Sequence, residues 1–294
     1  MTQQVINVGS AINDGTGDPA RTAFTKSNDN FTELYPRDVP QCGRLVYVSA
    51  TALSFAPYNG DRIKINGVIY PIPSAGIAGL ANTSVVVAST PGQNLAASTT
   101  YTIFAFNAGG VITANYIAGT SHATSATAGN VGTEIYPAAD SMTLIGMVRT
   151  NASSQFVDTA ANRSVLSWFN RRNIDARGAN TAGAITVSTT AVALTAAANV
   201  LFLTWGEEAV ALGVEGTSSS SVDHGVNGSN IYLDGPGQLP QGVLCNCGGI
   251  GAFGSNSGSI CVTATEGFHT ISPMGYVLGG TGSFYIACSA MIRG

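Results

Sequence analysis

Charge is scarce in this sequence. Asp, Glu, Lys and Arg together make up 10% of the 294 residues, against roughly 25% in an average soluble domain. The formal net charge is −4, so the chain lacks the basic surface that a nucleic-acid backbone requires, and we expect no nucleic-acid binding. So few charges would leave a monomer with a poorly solvated surface, which favours a homo-oligomer.

Long apolar runs are also missing. The most apolar stretch, residues 191–205, is interrupted by Thr195, Asn199 and Thr204. It therefore falls short of a membrane-spanning helix, which needs about 20 predominantly apolar residues. The chain starts with MTQQ and shows neither the charged nor the apolar region of a secretory signal. We expect synthesis in a cytoplasm and no membrane insertion.

The cysteines do not follow a metal-binding pattern. Cys245 and Cys247 are separated by one residue, whereas structural zinc sites use C-x₂₋₄-C spacing. Residues two apart in a strand face the same side, so this pair is interpreted as two small side chains that face a core. We predict no metal and no cofactor.

Catalytic groups are equally hard to find. Glu207 and Glu208 are adjacent, and a strand would direct them to opposite faces rather than place both across a glycosidic bond. Asp223 and His224 follow a serine run at 218–221, which supplies the residue types of a hydrolytic triad. Neighbours in sequence rarely adopt triad geometry, so we predict that the chain is not an enzyme.

The residues that are abundant favour short strands and tight turns. The chain has 36 glycines and is rich in Ala, Ser and Thr. The clearest hairpin is 62–72, where Asn66-Gly67 suits a two-residue type I′ loop that sets Ile65 opposite Val68. A second hairpin is predicted around a turn at 107–110. The fold class is mainly β, with antiparallel domains after a short N-terminal helix.

The C-terminal part predicts a β-sandwich or jelly roll. Short strands recur there at a spacing of about ten residues with Gly-rich turns. Nine are predicted, at 184–187, 192–194, 200–205, 209–214, 229–233, 243–247, 259–263, 269–272 and 283–291. The polar segment 173–183 is interpreted as a domain boundary. The predicted domains are therefore 1–38, 39–175 and 176–294.

The N-terminus contains the most informative stretch. Residues 13–17, NDGTG, form a tight-turn cluster. Asp18 is a suitable N-cap and Pro19 suits the first helical position. No Gly or Pro follows until Pro36, which predicts a helix of about four turns.

One face of this helix is apolar. Ala20, Phe24, Ser27, Phe31 and Leu34 recur at heptad spacing. A helix this short is marginally stable by itself. We therefore expect the face to be buried against the rest of the chain, against copies of itself or against another protein. The small Ala20 and the polar Ser27 argue against a self-sufficient coiled coil.

The segment INVGSAINDGTGDPARTAFTKSNDNFTELY resembles the N-terminal segment of tail-fibre, baseplate and other structural proteins of double-stranded DNA bacteriophages. That segment combines NxG, NDGTGD and a helix that ends in NFxELY, and it is joined to unrelated bodies that it attaches to the virion. The match covers residues 5–35. It implies a structural protein that is located in the virion and synthesised in the cytoplasm of a bacterial host.

The resemblance also implies a partner and a set of binding residues. The partner would be another virion protein in the portal, neck, baseplate or capsid. The candidate attachment residues are Asn7, Gly9, Asn13, Asp14, Gly15, Gly17, Asp18, Arg21, Phe24, Phe31, Leu34 and Tyr35.

A second and weaker resemblance lies in residues 143–172, TLIGMVRT…QFVDT…RSVLSWFNRR, which are similar to a module of fibre and receptor-binding proteins of tailed phages. The fibre-like organisation that the two resemblances imply, together with the poorly charged surface, favours a homotrimer that projects its β domains outward. In its receptor-binding form, this fibre would contact a host glycan or protein. The candidate host-binding residues, in loops 216–230 and 248–258, are Asp223, His224, Asn227, Phe253 and Asn256. The alternatives are a passive connector or decoration protein and, third, an enzyme that degrades surface polysaccharide.

Overall fold

A computed structural model of the chain describes residues 4–11, 14–34, 41–137, 139–206, 208–235 and 241–294. Within these ranges it is mainly β, as predicted, with one α-helix, α1 (Ala20–Leu34). The first strands are β1 (Arg44–Ser49), β2 (Ala52–Ala56), β3 (Arg62–Ile65), β4 (Val68–Pro71), β5 (Val85–Val87), β6 (Thr90–Gln93), β7 (Thr100–Ala108), β8 (Val111–Ala118), β9 (Ala123–Thr124), β10 (Glu134–Tyr136), β11 (Ala139–Arg149), β12 (Asp158–Thr159), β13 (Asn162–Arg163) and β14 (Val165–Ser167).

The remaining strands belong to the C-terminal part. They are β15 (Asn173–Ala179), β16 (Ala184–Thr186), β17 (Val192–Ala193), β18 (Val200–Thr204), β19 (Ala209–Ser220), β20 (Val226–Leu233), β21 (Gln241–Asn246), β22 (Phe253–Thr263), β23 (Gly267–Val277) and β24 (Gly282–Arg293). A single 3₁₀ turn, Ala196–Ala198, precedes β18 in this described region.

An eight-stranded sheet forms the first half of the fold. Its order is β6-β5-β8-β7-β11-β10-β9, and β14 also pairs with β11. Strand β11 is buried from Thr143 to Val148 without alternation, because both faces of the sheet are covered. Ile145 packs with the hairpins β1–β2 and β3–β4, whereas Leu144 and Met147 join the second core.

The second core lies in a β-sandwich, which confirms the predicted C-terminal architecture. One sheet has the order β12-β13-β18-β23-β20-β21 with β17 on β23, and the other has the order β15-β24-β19-β22 with β16 on β24. Alternate residues of the facing strands fill the space between them. The largest of these buried side chains are Phe202, Trp205, Leu212, Ile231, Ile271 and Phe284.

Both predicted hairpins are confirmed. In the first, Ile63 pairs with Tyr70 and Ile65 with Val68, and the loop residues Asn66 and Gly67 have φ values of 52° and 78°, as a type I′ turn requires. Val68 remains exposed, so the apolar face of this hairpin is only partly covered. In the second, β7 and β8 continue to Ala108 and Val111, which leaves a two-residue turn.

One strand of the sandwich was not predicted from the sequence. In the polar segment 173–183, which the sequence marks as a domain boundary, the first seven residues form β15 and pair with β24 along their whole length. Their outward polar side chains alternate with the buried Ala176 and Gly178, a pattern that small residues make hard to recognise. The nine strands predicted beyond it are all present, several of them longer. The division into 1–38, 39–175 and 176–294 stays a prediction.

Cys245 and Cys247 are both buried, which confirms that they face a core. None of the helices in the part of the chain that the structure describes combines the length and the apolarity needed to cross a membrane.

A charged joint connects the eight-stranded sheet to the sandwich. Nδ1 of His122 lies 2.6 Å from Oε2 of Glu134, and its Nε2 lies 3.2 Å from Oε2 of Glu266. Hydrogen bonding to Glu266 and Glu134 raises the pKa of His122 to about 9, against a smaller opposing effect of desolvation. The imidazole ring also lies 5.3 Å from the ring of Trp168.

Candidate attachment site at the N-terminus

The N-terminal segment folds back on itself through Asn7. The backbone amide of Asn7 donates to the Asp18 carboxylate at 2.9 Å, and the side-chain amide of Asn7 donates to the Thr16 carbonyl at 2.7 Å. The Asn7 side-chain oxygen accepts from the Gly9 amide at 3.0 Å, while the Asp18 amide donates to the Asn7 carbonyl at 2.7 Å. Asn7 therefore joins the extended start of the segment to the residues just before α1.

The turn itself is organised around Asp14. Its carboxylate accepts hydrogen bonds from the amides of Ser10, Ala11 and Thr16 at 2.6–2.9 Å. These backbone hydrogen bonds, that from Thr16 first, hold the pKa of Asp14 well below its ordinary value of 3.8. Gly9 has a φ of +78°, and a Cβ there would lie 2.6 Å from Asp14 Oδ1. Only glycine fits beside this carboxylate.

One face of α1 holds the extended segment. Asn30 and Gln4 exchange two hydrogen bonds: the Gln4 amide donates to Asn30 Oδ1 at 2.9 Å, and Asn30 Nδ2 donates to the Gln4 carbonyl at 2.8 Å. Lys26 Nζ donates to the Val5 carbonyl at 3.1 Å and pairs with Asp18 at 2.7 Å. The hydrogen bonds with Lys26 and Asn7 lower the pKa of Asp18. The polar side of the helix is thus satisfied within the segment.

The opposite face of α1 is uncovered. Phe24 is 71% exposed and Phe31 is 57% exposed. Seven residues separate them, so they share a face that is about 140° around the helix from Lys26 and Asn30. Val5 and Val8 are also exposed. The apolar face was expected to be buried against the rest of the chain, against copies of the chain or against another protein. The rest of the described chain does not bury it.

The other predicted attachment residues divide into three groups. Gly15 and Gly17 lie in the turn, where a Cβ on Gly17 would lie 3.1 Å from the Asn7 carbonyl oxygen. Arg21 is exposed at the start of the helix. Asn13, Tyr35 and the side chain of Leu34 lie outside the described residues. Asp18 was predicted to cap the helix, but its carboxylate binds Asn7 and Lys26 instead, and Pro19 accepts the helical hydrogen bond from Ala23.

The predicted host-binding residues do not form one surface. Asp223 and His224 are exposed and lie 3.0 Å apart, and Phe253 is 61% exposed. Asn227 and Asn256, however, are fully buried in β20 and β22, which corrects their placement in loops. The connections are residues 221–225 and 247–252, shorter than predicted, because the serine run 218–220 continues β19 with Ser218 and Ser220 turned inward. A run of serines is typical of a loop, and composition alone therefore suggested one. Serine side chains are nevertheless small enough to be buried in the interior.

No known protein family and no curated protein matches the chain. Similar solved structures come from viral particles. Infectious bursal virus-derived T=1 particles match with 18% identity and a TM-score of 0.34, over 88% of this chain and 72% of theirs. The T13 IBDV viral particle matches with 15% identity and a TM-score of 0.32, over 86% and 67%. The infectious bursal disease virus VP2 subviral particle matches with 15% identity and a TM-score of 0.30, over 86% and 70%.

Proposed function

We propose that the chain is a structural protein of a tailed-bacteriophage virion, attached to the particle through its N-terminal segment, residues 1–38. The observation that carries the proposal is the division of α1 into two faces: its polar face is bound by the chain's own residues, and its phenylalanine face is uncovered. A helix with such a face is stabilised by burial against a partner. The resemblance of residues 5–35 to phage attachment segments supports another virion protein as this partner.

The magnitude of the contact favours several copies. Burying one large apolar side chain contributes about 1.5–3 kcal/mol, so Phe24 and Phe31 together supply about 3–6 kcal/mol. Association costs about 4–15 kcal/mol in lost freedom of motion. One segment would therefore attach weakly, whereas an oligomer that presents several segments to a symmetric ring would gain effective concentration. This supports an oligomeric, fibre-like assembly, which we propose is a homotrimer.

The body would project outward from this anchor. Both cores are formed mainly by strand residues, and the loops 221–225 and 247–252 lie at the surface. Asp223, His224 and Ile250 are exposed in these loops. In the fibre-like form of the proposal this body contacts a host surface molecule, and in the alternative form it is a passive connector or decoration. No enzymatic step is part of either form.

Incorporation into particles tests the anchor. A chain that lacks residues 1–35 should fold but be absent from purified virions. Phe31→Asp should have the same effect, because it would bury an unpaired carboxylate at the contact. The matched control is Thr25→Asp, which adds the same charge to an exposed position away from the phenylalanine face. Virions that contain the deletion protein or the Phe31→Asp protein at wild-type levels would overturn the proposal.

A further inference from the structure

The outer face of the five-stranded sheet contains an open groove of about 710 Å³. Strands β15 and β16 pair with the same edge of β24, and the residues between them, 180–183, leave the sheet as a loop. This loop forms one side of the groove, and β22 forms the other. Ligand sites in proteins commonly have volumes of about 300–1,000 Å³.

The floor of the groove is set by strand register. Tyr285 on β24 pairs with Thr217 on β19, which pairs with Ser255 on β22. In the next row Ala287 pairs with Glu215, which pairs with Ser257. Neighbouring residues in these strands are buried in the sandwich core, so all six side chains face outward. The small Ala287 is thus surrounded by an aromatic ring, three hydroxyls and a carboxylate. These belong to Tyr285, to Thr217, Ser255 and Ser257, and to Glu215.

Tyr285 is held in position by its neighbours. Its ring lies 5.7 Å from the ring of Phe253 at an angle of 64°, an edge-to-face arrangement that is favourable for aromatic pairs. Gly183, with a φ of +77°, lies so close that a Cβ there would be 2.9 Å from Tyr285 Cζ. The 180–183 loop therefore packs directly on the ring. Tyr285 is nevertheless 38% exposed and Phe253 is 61% exposed.

The groove carries no net charge. Glu215 is the one acidic residue among its described lining residues, and it is paired with Arg177 on β15, across the intervening β24. A ligand here would meet hydroxyl groups, a neutralised ion pair and an aromatic surface. Phosphorylated or carboxylated ligands would find no uncompensated cation, and the whole chain is acidic with a net charge of −4.

A neutral sugar has the complementary chemistry. A pyranose ring presents C–H groups on its faces, which pack on an aromatic side chain, and hydroxyl groups around its rim. Each rim hydroxyl both donates and accepts, as do the hydroxyls of Thr217, Ser255 and Ser257. We propose that this groove binds a short neutral saccharide, with a sugar ring packed on Tyr285 and its hydroxyls bonded to the groove floor.

This inference rests on the proposed function, because it specifies the host molecule that a particle-attached body would contact. It assigns that contact to the sheet face instead of the loops 221–225 and 247–252. It also gives a role to the exposed Phe253–Tyr285 pair, which packing of the core does not require.

The test is glycan binding by the full-length protein. We expect it to retain neutral oligosaccharides on an array that carries both neutral and acidic ones. In titrations with the strongest neutral glycan, Tyr285→Ala should weaken binding at least tenfold. Ala287→Trp should abolish it by filling the floor. The matched control is Met291→Ala, on the same strand and face but outside the groove, which should bind like wild type.

Several outcomes would overturn the inference. These are no retention of any neutral glycan, retention of acidic glycans alone, or wild-type binding by both Tyr285→Ala and Ala287→Trp. A change in solution mass caused by either variant would assign the face to contact between copies of the chain instead. Virion incorporation separates this test from that of the anchor. The groove variants should incorporate normally, whereas Phe31→Asp should bind glycan but not incorporate.

Discussion

Asn7 and Asp18 are joined by two reciprocal hydrogen bonds in the N-terminal segment. The Asn7 amide donates to the Asp18 carboxylate at 2.9 Å, and the Asp18 amide donates to the Asn7 carbonyl at 2.7 Å. These two hydrogen bonds bring the described residues on either side of the turn together just before α1. The shape of the segment therefore depends on its own polar side chains, while its apolar side chains remain available for a partner.

Removing the Asp18 carboxylate should loosen this segment without affecting the β body. In Asp18→Ala the Asn7 amide and Lys26 Nζ both lose an acceptor. We expect faster hydrogen exchange at the Asn7 amide and an unchanged Tm. Thr22→Ala, at an exposed position on the same helix, is the control. Unchanged exchange at Asn7 in Asp18→Ala would contradict the reciprocal contact.

The Asp14 carboxylate should stay ionised in acid. Hydrogen bonds from Thr16, Ala11 and Ser10 lower its pKa below the ordinary value of 3.8. A lowered pKa means that the turn keeps this stabilisation above the ordinary pKa and loses it only as the pH falls through the lowered pKa. Carboxyl NMR titration should place the Asp14 midpoint below 3.8. A midpoint at or above 3.8 would contradict the turn geometry.

The joint at His122 should make stability depend on pH on the alkaline side. Its pKa is raised from 6.5 to about 9 by Glu266 and Glu134. The charged histidine therefore stabilises the fold fully below pH 6.5, and this contribution is lost as the pH rises through about 9. We expect Tm to fall over this interval in the wild-type protein. His122→Gln, which keeps a polar side chain but cannot titrate, should show a smaller fall. Equal slopes in the two proteins would refute this role.

Gly146 should be intolerant of any side chain. A Cβ there would lie 2.4 Å from Leu45 Cδ2 and 2.5 Å from the Leu166 carbonyl oxygen. Because a backbone atom cannot move aside as a flexible side chain can, Gly146→Ala should lower the free energy of unfolding by about 1–3 kcal/mol or more. Urea denaturation would measure the change. Gly248→Ala, where nothing lies within 4 Å, should be nearly neutral.

The sequence was most predictive where a local rule decides the structure. Asn66-Gly67 specified a turn and a register, and the turn predicted at 107–110 placed a second hairpin. Asp18, Pro19 and Pro36 bracketed α1 closely, although Asp18 binds the chain before the helix rather than capping it. In each case the information lies within a few neighbouring residues.

Predictions failed where small residues conceal an alternating pattern. Ala176 and Gly178 in β15, and Ser218 and Ser220 in β19, are buried positions that hydropathy does not identify. The groove around Tyr285 also could not be predicted from the sequence, because it depends on the register between strands that are distant in sequence. His122 and Glu266 are 144 residues apart, so no local pattern could have joined them.

The position of β24 has a consequence for biosynthesis. This strand follows all the other described strands along the chain, yet it lies inside its sheet, between β19 on one edge and β15 and β16 on the other. During synthesis β15, β16 and β19 leave the ribosome before β24 does. Until β24 emerges, the edges of these strands that pair with it remain unpaired. Such edges invite pairing with other chains. Expression yield should therefore depend on translation speed and chaperone supply, even for a protein that is stable once folded.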